Sequence, residues 1–256
     1  MDRLKNKVAI ITGGAGGIGA AAGRMFAAQG AKVLLVDRDA DALAVVQAEA
    51  KHPDIHTFAA DVSDEEQTKA YVEAAIEKFG RVDILLANAG IEGDVKPISD
   101  YPTATFDQVI AVNVRGVWLG IKHVAEHLVA QGKGSIVVTS STAGVRGTPG
   151  ISPYTTSKHA VIGMTKSLAL EFAPKGVRIN TVNPCPVETR MMRSLEGSMS
   201  GQANDTDATK ARITKAIPLG RYGDPDDIAK VMLFLASDDA SFVTGAVYMA
   251  DGGSTA

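Results

Sequence analysis

The sequence predicts an α/β protein whose parallel β-sheet is covered by helices on both faces. Short runs rich in Val, Ile and Leu alternate with longer helical patterns along the chain. These runs are apolar over their full length instead of at every second residue, which is typical of strands buried on both faces. No linker, low-complexity tract or internal repeat divides the 256 residues, so we expect a single domain.

Seven strands are predicted from the short apolar runs, each bounded by polar, Gly or Ala-rich sequence. They are, in chain order, Lys7–Thr12, Lys32–Val36, Ile55–Ala59, Ile84–Ala87, Ser135–Thr139, Arg178–Val182 and Ala246–Met249.

Six helical patterns lie between or after these strands. Ser63, with Glu66 three residues later, has the pattern of a capping box for a helix that runs to Phe79. Asp224 precedes a proline at the first position of the last helix, where proline is favoured. The patterns cover Ile18–Gln29, Ala40–Ala50, the segment after Ser63, Thr103–Ala130, Tyr154–Phe172 and Pro225–Ala236.

One long segment breaks this alternation. Glu188–Ile217 is rich in Met, Ser and Asp and shows weak periodicity. Long irregular stretches inside compact domains are more often functional than idle. We therefore expect residues 188–217 to form a substrate lid.

The composition argues against several classes of protein. Lys and Arg number 26 against 29 Asp and Glu, and this net charge of −3 comes without a basic run that would meet nucleic acid. No stretch approaches the roughly 20 apolar residues that span a bilayer, and the polar N-terminus has no apolar signal region. We expect a cytoplasmic protein. Because Cys185 is the one cysteine, an intrachain disulfide or a thiolate zinc cluster is excluded, and no metal is expected.

A glycine-rich turn, TGGAGGIG at residues 12–19, joins the first strand to the first helix. Glycines at such a point allow a tight turn and let the backbone approach a pyrophosphate, which the helix N-terminus attracts. The position between strand and helix predicts a Rossmann-type dinucleotide site. Two registers of the motif fit, namely Gly14-x-Gly16-x-x-Gly19 and Gly13-x-x-x-Gly17-x-Gly19.

Asp37 ends the second strand, where the adenosine ribose of a dinucleotide is expected. Its carboxylate can accept hydrogen bonds from both ribose hydroxyls and repels the 2′-phosphate of NADP. Arg38 follows directly and offers a cation for that phosphate, so both cofactors remain open, with NAD favoured. A purely structural alternative also stands, because Asp often caps a turn before a helix.

Tyr154 and Lys158 are four residues apart in a predicted helix and therefore share one face. A nearby ammonium group stabilises a phenolate and lowers the pKa of the tyrosine. Such a shift brings the phenol closer to the pH at which general acid–base catalysis operates. Alone, the pair is a weak indication, because the spacing occurs by chance in many helices.

Further motifs occur in order around this pair, and most of them directly follow predicted strands. They are Asp61-Val62, Asn88-Ala89-Gly90, Asn113 in the long helix, Ser140-Ser141 thirteen residues before Tyr154, and Asn183-Pro184. In this order and spacing, and in the glycine turn that ends at Gly19, residues 7–253 resemble the short-chain dehydrogenase/reductase family. The resemblance implies a Rossmann-type, doubly wound, seven-stranded parallel sheet with helices on both faces, in a single domain.

The resemblance also implies a role for each matching residue. Tyr154 would exchange a proton with the substrate oxygen, which Ser141 would hold, and Ser140 is the competing serine. Lys158 would lower the pKa of Tyr154 and bind the nicotinamide ribose, while Asn113 would hold a water that links Lys158 to solvent. The cofactor contacts would come from Gly13, Gly16, Gly17, Ile18, Gly19, Asp37, Arg38, Asp61, Val62, Asn88, Ala89, Gly90, Tyr154, Lys158, Pro184, Val187 and Thr189.

The implied activity is hydride transfer between NAD(H) and a small or medium-sized secondary alcohol or ketone. The family resemblance further implies a homotetramer, with helices in 103–130 and 154–172 as one interface. A 3-oxoacyl thioester reductase shares the same motifs but normally uses NADPH, and Asp37 counts against it. A dinucleotide sensor without activity is a remote alternative, which the intact Ser141, Tyr154 and Lys158 oppose.

Cys185 stands where members of this family usually carry glycine. If the backbone there needed a positive φ, a cysteine would be strained. We expect Cys185 to be an inert residue of the substrate pocket rather than a reactive thiol. Glu92 and Arg146 are candidate polar contacts of that pocket. Its predicted lining is Ser141, Val145, Ile151, Tyr154, Cys185, Met191 and Met192.

Overall fold

A computed structural model describes residues 2–200 and 205–256. Within these residues, seven strands form one sheet in the order β3-β2-β1-β4-β5-β6-β7, and every neighbouring pair is parallel. This arrangement confirms the predicted doubly wound sheet. The strands are β1 (Val8–Thr12), β2 (Lys32–Asp37), β3 (Ile55–Ala59), β4 (Ile84–Ala87), β5 (Gly134–Thr139), β6 (Val177–Pro184) and β7 (Val247–Ala250).

Helices cover both faces of the sheet. They are α1 (Gly17–Ala28), α2 (Ala40–Ala50), α3 (Glu65–Phe79), α4 (Thr103–Ile110), α5 (Val117–Gln131), α6 (Ser152–Phe172), α7 (Arg190–Ser200), α8 (Thr206–Lys215) and α9 (Pro225–Ala236). A π-helical turn at Ala111–Gly116 joins α4 to α5. None of the described helices is long and apolar enough to cross a membrane.

The core consists of two layers, one on each face of the sheet. Neighbouring residues of one strand point to opposite faces, so Ile11 packs in the layer with α1 and α9, and Ile10 packs in the layer with α3, α5 and α6. Both isoleucines are fully buried. Burial on both faces explains why the strands are apolar along their whole length.

The predicted capping box of α3 was wrong. The N-cap of α3 is Asp64, whose carboxylate accepts from the Gln67 backbone N–H at 2.9 Å. Ser63 instead donates its hydroxyl to Asp61 at 2.7 Å. Asp and Ser are about equally favoured at the N-cap, so residue preference alone does not distinguish Ser63 from Asp64. By contrast, Asp224 forms the predicted start of α9, in a capping box with Asp227.

The segment 188–217 is more regular than predicted, because its described part contains α7 and α8. Met192, Leu195 and Met199 recur at helical spacing along α7, and Asp205 caps α8 by accepting from the Ala208 N–H at 2.8 Å. Four residues of the predicted lid, 201–204, lie outside the described residues.

Candidate active site

The glycine turn lies at the carboxyl edge of the sheet and is tightly packed. Gly13 has φ +67°, and a Cβ on it would come within 2.9 Å of the Ala89 Cα. A Cβ on Gly19 would lie 2.1 Å from the Gly13 carbonyl oxygen. Neither position tolerates a side chain. The turn therefore brings backbone, instead of side chains, to the N-terminus of α1.

That N-terminus can receive an anion. Gly16 is the N-cap and supplies no side-chain cap, and no acidic residue lies in the first turn of α1. Gly16 and Gly17 are exposed, and Ile18 is half-buried. Uncapped N–H groups at a helix N-terminus attract phosphate. These features fit the pyrophosphate of a dinucleotide.

Asn88 fixes the ends of three neighbouring strands. Its Nδ2 donates to the Thr12 carbonyl oxygen at 3.1 Å, and its Oδ1 accepts from the Thr139 hydroxyl at 3.1 Å. The Thr12 hydroxyl in turn accepts from the backbone N–H groups of Asn88 and Ala89, at 3.0 and 3.1 Å. The predicted cofactor segments after β1 and β4 are thus joined directly.

Asp37 lies at the end of β2 beside the glycine turn. Its carboxylate accepts from the Ala15 N–H at 3.1 Å and from the Asp39 N–H at 3.3 Å. A carboxylate has about four acceptor sites, so capacity remains for ribose hydroxyls. Arg38 is exposed. Asp37 therefore has both the structural role considered from the sequence and a position that suits ribose recognition.

Asp61 and Val62 lie after β3 and lead towards the start of α5. The Asp61 carboxylate accepts from the Ser63 N–H at 2.8 Å. Val62 is buried, and a Cβ placed on Gly116 would lie 2.9 Å from its Cγ2. Arg115 donates to the Ser63 carbonyl oxygen. The predicted adenine-side pair is therefore held against the π-helical turn.

Ser141, Tyr154 and Lys158 meet where β5 faces the first turns of α6. The Ser141 hydroxyl accepts from the Ala143 N–H at 3.1 Å and faces the Tyr154 phenol, where it opposes the rise in pKa that burial causes. The Lys158 Nζ lies 5.4 Å from the centroid of the Tyr154 ring and donates to the Thr139 carbonyl oxygen at 2.9 Å. Ser140 turns away, because its hydroxyl donates to the Lys158 carbonyl oxygen at 3.0 Å. This geometry favours Ser141 over Ser140.

Burial shifts both titratable groups of the site. It raises the pKa of Tyr154 to about 12, against the smaller opposing effect of the Ser141 hydroxyl. It lowers the pKa of Lys158 to about 8. In this structure the pKa of Tyr154 is therefore raised and not lowered as the sequence predicted, because desolvation of the phenolate outweighs other influences.

Asn113 is fully buried in the π-helical turn and contacts protein groups on every side. Its Oδ1 accepts from the Ile91 N–H at 2.8 Å, and its Nδ2 donates to the Ile91 carbonyl oxygen at 2.9 Å and the Ser157 hydroxyl at 3.1 Å. Both amide hydrogens are thus used. The predicted water link through Asn113 stays a prediction, and the hydrogen bonds to Ile91 fit the structural alternative for this residue, a buried polar side chain that satisfies backbone groups.

The segment after β6 returns to the glycine turn. Pro184 ends β6, and Val187 pairs with Gly223 in a short bridge. Thr189 caps α7, accepting from the Met192 N–H at 3.3 Å, and its Cγ2 lies 3.1 Å from a Cβ placed on Gly17. The predicted contacts at 184–189 therefore lie next to the predicted pyrophosphate site.

Cys185 has no strained backbone, because Asn6 and Lys51 are the non-glycine residues with positive φ in the described ranges 2–200 and 205–256. Its N–H donates to the Ala250 carbonyl oxygen at 3.4 Å, so sheet pairing with β7 continues through this position. Burial raises the pKa of its thiol, which favours an inert residue.

The predicted pocket residues fall into two groups. Val145 is exposed and Ile151 is buried, and they lie on either side of the loop that leads to Tyr154. Cys185 and Met192 pack together with Ile217 and Tyr222 in a small apolar cluster, while Met191 is half-buried. Met192 therefore packs α7 against this cluster.

Ser157 and Thr139 were not singled out from the sequence. Ser157 is fully buried and links Asn113 to the Tyr154 carbonyl oxygen, to which it donates at 2.7 Å. Thr139 connects Asn88 with Lys158. The sequence signal that could have indicated them is a small polar residue within an otherwise apolar strand or helix face.

The sequence profile of a family described as enoyl-(acyl carrier protein) reductase matches residues 13–255. Levodione reductase of Leifsonia aquatica is 41% identical over 99% of this chain and 96% of its own length. The chain belongs to the short-chain dehydrogenase/reductase family. It is therefore a member of an oxidoreductase family.

Two further members of the short-chain dehydrogenase/reductase family are similar over 98% of both chains. The 4-formylbenzenesulfonate dehydrogenase of Comamonas testosteroni is 43% identical. The 3-oxoacyl-(acyl-carrier-protein) reductase of Thermotoga maritima is 41% identical.

Solved structures of the family confirm the fold. A crystal structure of levodione reductase superposes with a TM-score of 0.94 at 39% identity, covering 98% of each chain. NAD⁺-bound xylitol dehydrogenase gives 0.91 at 32% identity, covering 96% of this chain and 98% of the other. A 3-ketoacyl-(acyl-carrier-protein) reductase from Brucella melitensis in complex with NADH gives 0.90 at 36%, covering 99% and 100%.

Proposed function

We propose that this protein is an NAD-dependent dehydrogenase that interconverts a secondary alcohol and its ketone. The observation that carries the proposal is the meeting of Ser141, Tyr154 and Lys158 at the carboxyl edge of the sheet, beside a glycine turn shaped for a pyrophosphate. A binding protein without activity has no use for a proton donor, a hydroxyl that orients it and a buried ammonium in one place.

Tyr154 is the general base of the oxidation and the general acid of the reduction. Its phenol oxygen takes the proton of the substrate hydroxyl, and the Ser141 hydroxyl holds the substrate oxygen in position. A bound NAD⁺ would supply the acceptor for the hydride that leaves the substrate carbon bearing this oxygen. Because Ser141 ends the loop after β5 opposite the first turn of α6, the two oxygens can converge on one substrate atom.

Lys158 has two tasks in this scheme. Its ammonium, held by the Thr139 carbonyl oxygen, places a positive charge under the Tyr154 ring and stabilises the phenolate while the proton is transferred. It would also donate to the nicotinamide ribose of a bound cofactor. Burial lowers the pKa of Lys158 to about 8, which is still above neutral pH, so the ammonium remains the major form there.

Asp37 supports NAD over NADP. Its carboxylate is rigidly placed by the Ala15 and Asp39 N–H groups, and a 2′-phosphate beside it would meet like charge. Two solved relatives contain NAD⁺ or NADH. The same carboxylate counts against a 3-oxoacyl thioester reductase that uses NADPH, an alternative that the family description and the Thermotoga maritima relative keep open.

The deciding experiment measures initial rates with NAD⁺ and NADP⁺ on a panel of cyclic, aromatic and polyhydroxy alcohols. A 3-oxoacyl thioester is assayed in parallel with NADH and NADPH. We expect alcohol oxidation with NAD⁺ to exceed the other reactions. Turnover confined to the thioester with NADPH would establish the alternative, and NADH binding without any turnover would establish a sensor.

We also propose that the chain assembles as a homotetramer through α5 and α6. Trp118 on α5 and Leu170 on α6 are 47% and 81% exposed, so both helices present a large apolar side chain that a partner subunit would cover. The 188–217 segment is proposed to act as the lid of the substrate pocket.

A further inference from the structure

Glu92 lies two residues after Gly90, the residue next to the Lys158 ammonium group. A Cβ placed on Gly90 would lie 3.4 Å from the Lys158 Nζ, and Asn113 holds both backbone groups of Ile91. Glu92 is half-buried, and its carboxylate is a further influence, smaller than burial, that raises the pKa of Tyr154. The chain that Asn113 anchors therefore brings an acidic side chain to the edge of the proposed site.

The loop that carries Glu92 is rigidly anchored on its far side. Gly93 has φ +73° and packs so tightly that a Cβ would lie 2.5 Å from the Tyr101 hydroxyl. That hydroxyl accepts from the Asp94 N–H at 2.8 Å. The Lys96 N–H then donates to the Gly150 carbonyl oxygen at 2.9 Å, which joins this loop to the one before α6. The carboxylate is thus presented from a fixed backbone.

Glu92 has free hydrogen-bonding capacity. Asp94, in the same loop, pairs with Lys96 at 3.3 Å, whereas no ion pair or hydrogen bond within residues 2–200 and 205–256 engages the Glu92 carboxylate. Arg146 does not neutralise it either, because its guanidinium donates to the Ser254 carbonyl oxygen at 3.1 Å. An ionised carboxylate is an acceptor only, so a group that satisfies it must be a donor.

We infer that Glu92 is a specificity-determining residue whose carboxylate accepts a hydrogen bond from a second hydroxyl group of the substrate, so that uncharged diols or polyols are preferred. This inference rests on the proposed function of Tyr154. A substrate without the second hydroxyl leaves the carboxylate desolvated and unpaired, which sites of this kind penalise strongly. A substrate with its own carboxylate adds like-charge repulsion.

The test compares cyclohexanol, the isomers of cyclohexanediol and 3-hydroxybutyrate as substrates of the wild type, Glu92→Gln and Glu92→Ala. We expect wild-type kcat/KM for the best diol to exceed that for cyclohexanol by about tenfold or more, since hydrogen bonds to charged groups contribute about that factor or above. Glu92→Ala removes this preference mainly through the KM of the diol. Glu92→Gln keeps part of it and raises the relative rate on 3-hydroxybutyrate by about tenfold.

Asp94→Asn is the matched control, because it removes a carboxylate of the same loop that is already paired with Lys96. Its substrate ratios should equal those of the wild type, and unchanged melting temperatures show that all variants fold. If the wild type oxidises alcohols but the Glu92 variants keep its substrate ratios, this inference is overturned and the proposed function stands. If the wild type oxidises no alcohol with either cofactor, both are overturned.

Discussion

The Asn113 amide holds the backbone of Ile91 from both sides, accepting from its N–H at 2.8 Å and donating to its carbonyl oxygen at 2.9 Å. This pair of hydrogen bonds ties the chain after β4 to the π-helical turn before α5. The position of that chain next to Lys158, and of Glu92 beyond it, therefore depends on Asn113.

Asn113→Ala should lower the free energy of unfolding by about 2–4 kcal/mol, because two buried backbone groups lose their partners. Ser157→Ala, which removes a single hydroxyl from the same network, should cost about 1 kcal/mol. Urea denaturation measures both. An Asn113→Ala protein of wild-type stability and no activity would instead indicate a purely catalytic role.

Tyr154→Phe should reduce kcat by about 10²–10⁴-fold and leave the Kd for NADH within a few-fold of the wild-type value, because the phenol oxygen carries the proton and the ring remains. Stopped-flow rates and NADH fluorescence titration give the two values. Tyr248→Phe in β7 is the control and should retain activity. Substantial turnover by Tyr154→Phe would remove this residue from the mechanism.

Asp37→Ala should lower the ratio of kcat/KM with NAD⁺ to that with NADP⁺ by about 10- to 100-fold, since it removes both the ribose acceptor and the charge that repels a 2′-phosphate. Steady-state kinetics with each cofactor measure this ratio. Asp41→Asn in the first turn of α2 removes a nearby exposed charge and should leave the ratio intact. An unchanged ratio in Asp37→Ala would mean that other residues recognise the ribose.

Lys158 should make stability depend on pH in a defined direction. Its pKa is about 8 in the folded protein and 10.5 in the unfolded chain. Between pH 8 and 10.5 the unfolded state therefore binds more protons than the folded state. The free energy of unfolding rises with pH across this interval, and the gain is lost again as the pH falls towards 8. Relative to Lys158→Met, which cannot titrate, the wild type should gain about 2 kcal/mol between pH 7 and 9.5. Parallel pH curves for the two proteins in urea denaturation would contradict the shifted pKa.

Cys185 should be unreactive in the folded protein. Burial raises the pKa of its thiol and leaves it 8% exposed, so little thiolate is available to an alkylating reagent. Iodoacetamide near neutral pH should leave both activity and mass unchanged, while the urea-unfolded chain should be labelled. Rapid inactivation that NAD⁺ prevents would identify a reactive thiol in the pocket.

The order of strands and helices was predictable from sequence, because burial on both faces of a parallel sheet leaves a continuous apolar run that needs no tertiary information. The glycine turn was predictable too, since the close approaches at Gly13 and Gly19 exclude every side chain. The choice of Asp64 over Ser63 as a cap, and the two helices within 188–217, were not. In both cases local preferences are nearly balanced, so the tertiary structure decides which form is adopted. For α7 it does so through the packing of residues such as Met192.

The sequence by itself determined the family, the sheet and the residues from which the site is built, because those depend on residue type and spacing along the chain. Only the tertiary structure decided how they interact. It turned the Ser140 hydroxyl to the Lys158 carbonyl oxygen and left Ser141 to face Tyr154. It also made Asn113 hold Ile91, two residues after Ala89 and next to Glu92. These relationships join residues from separate strands and loops, and the direction of the Tyr154 pKa follows from burial, which arises only when those elements pack together.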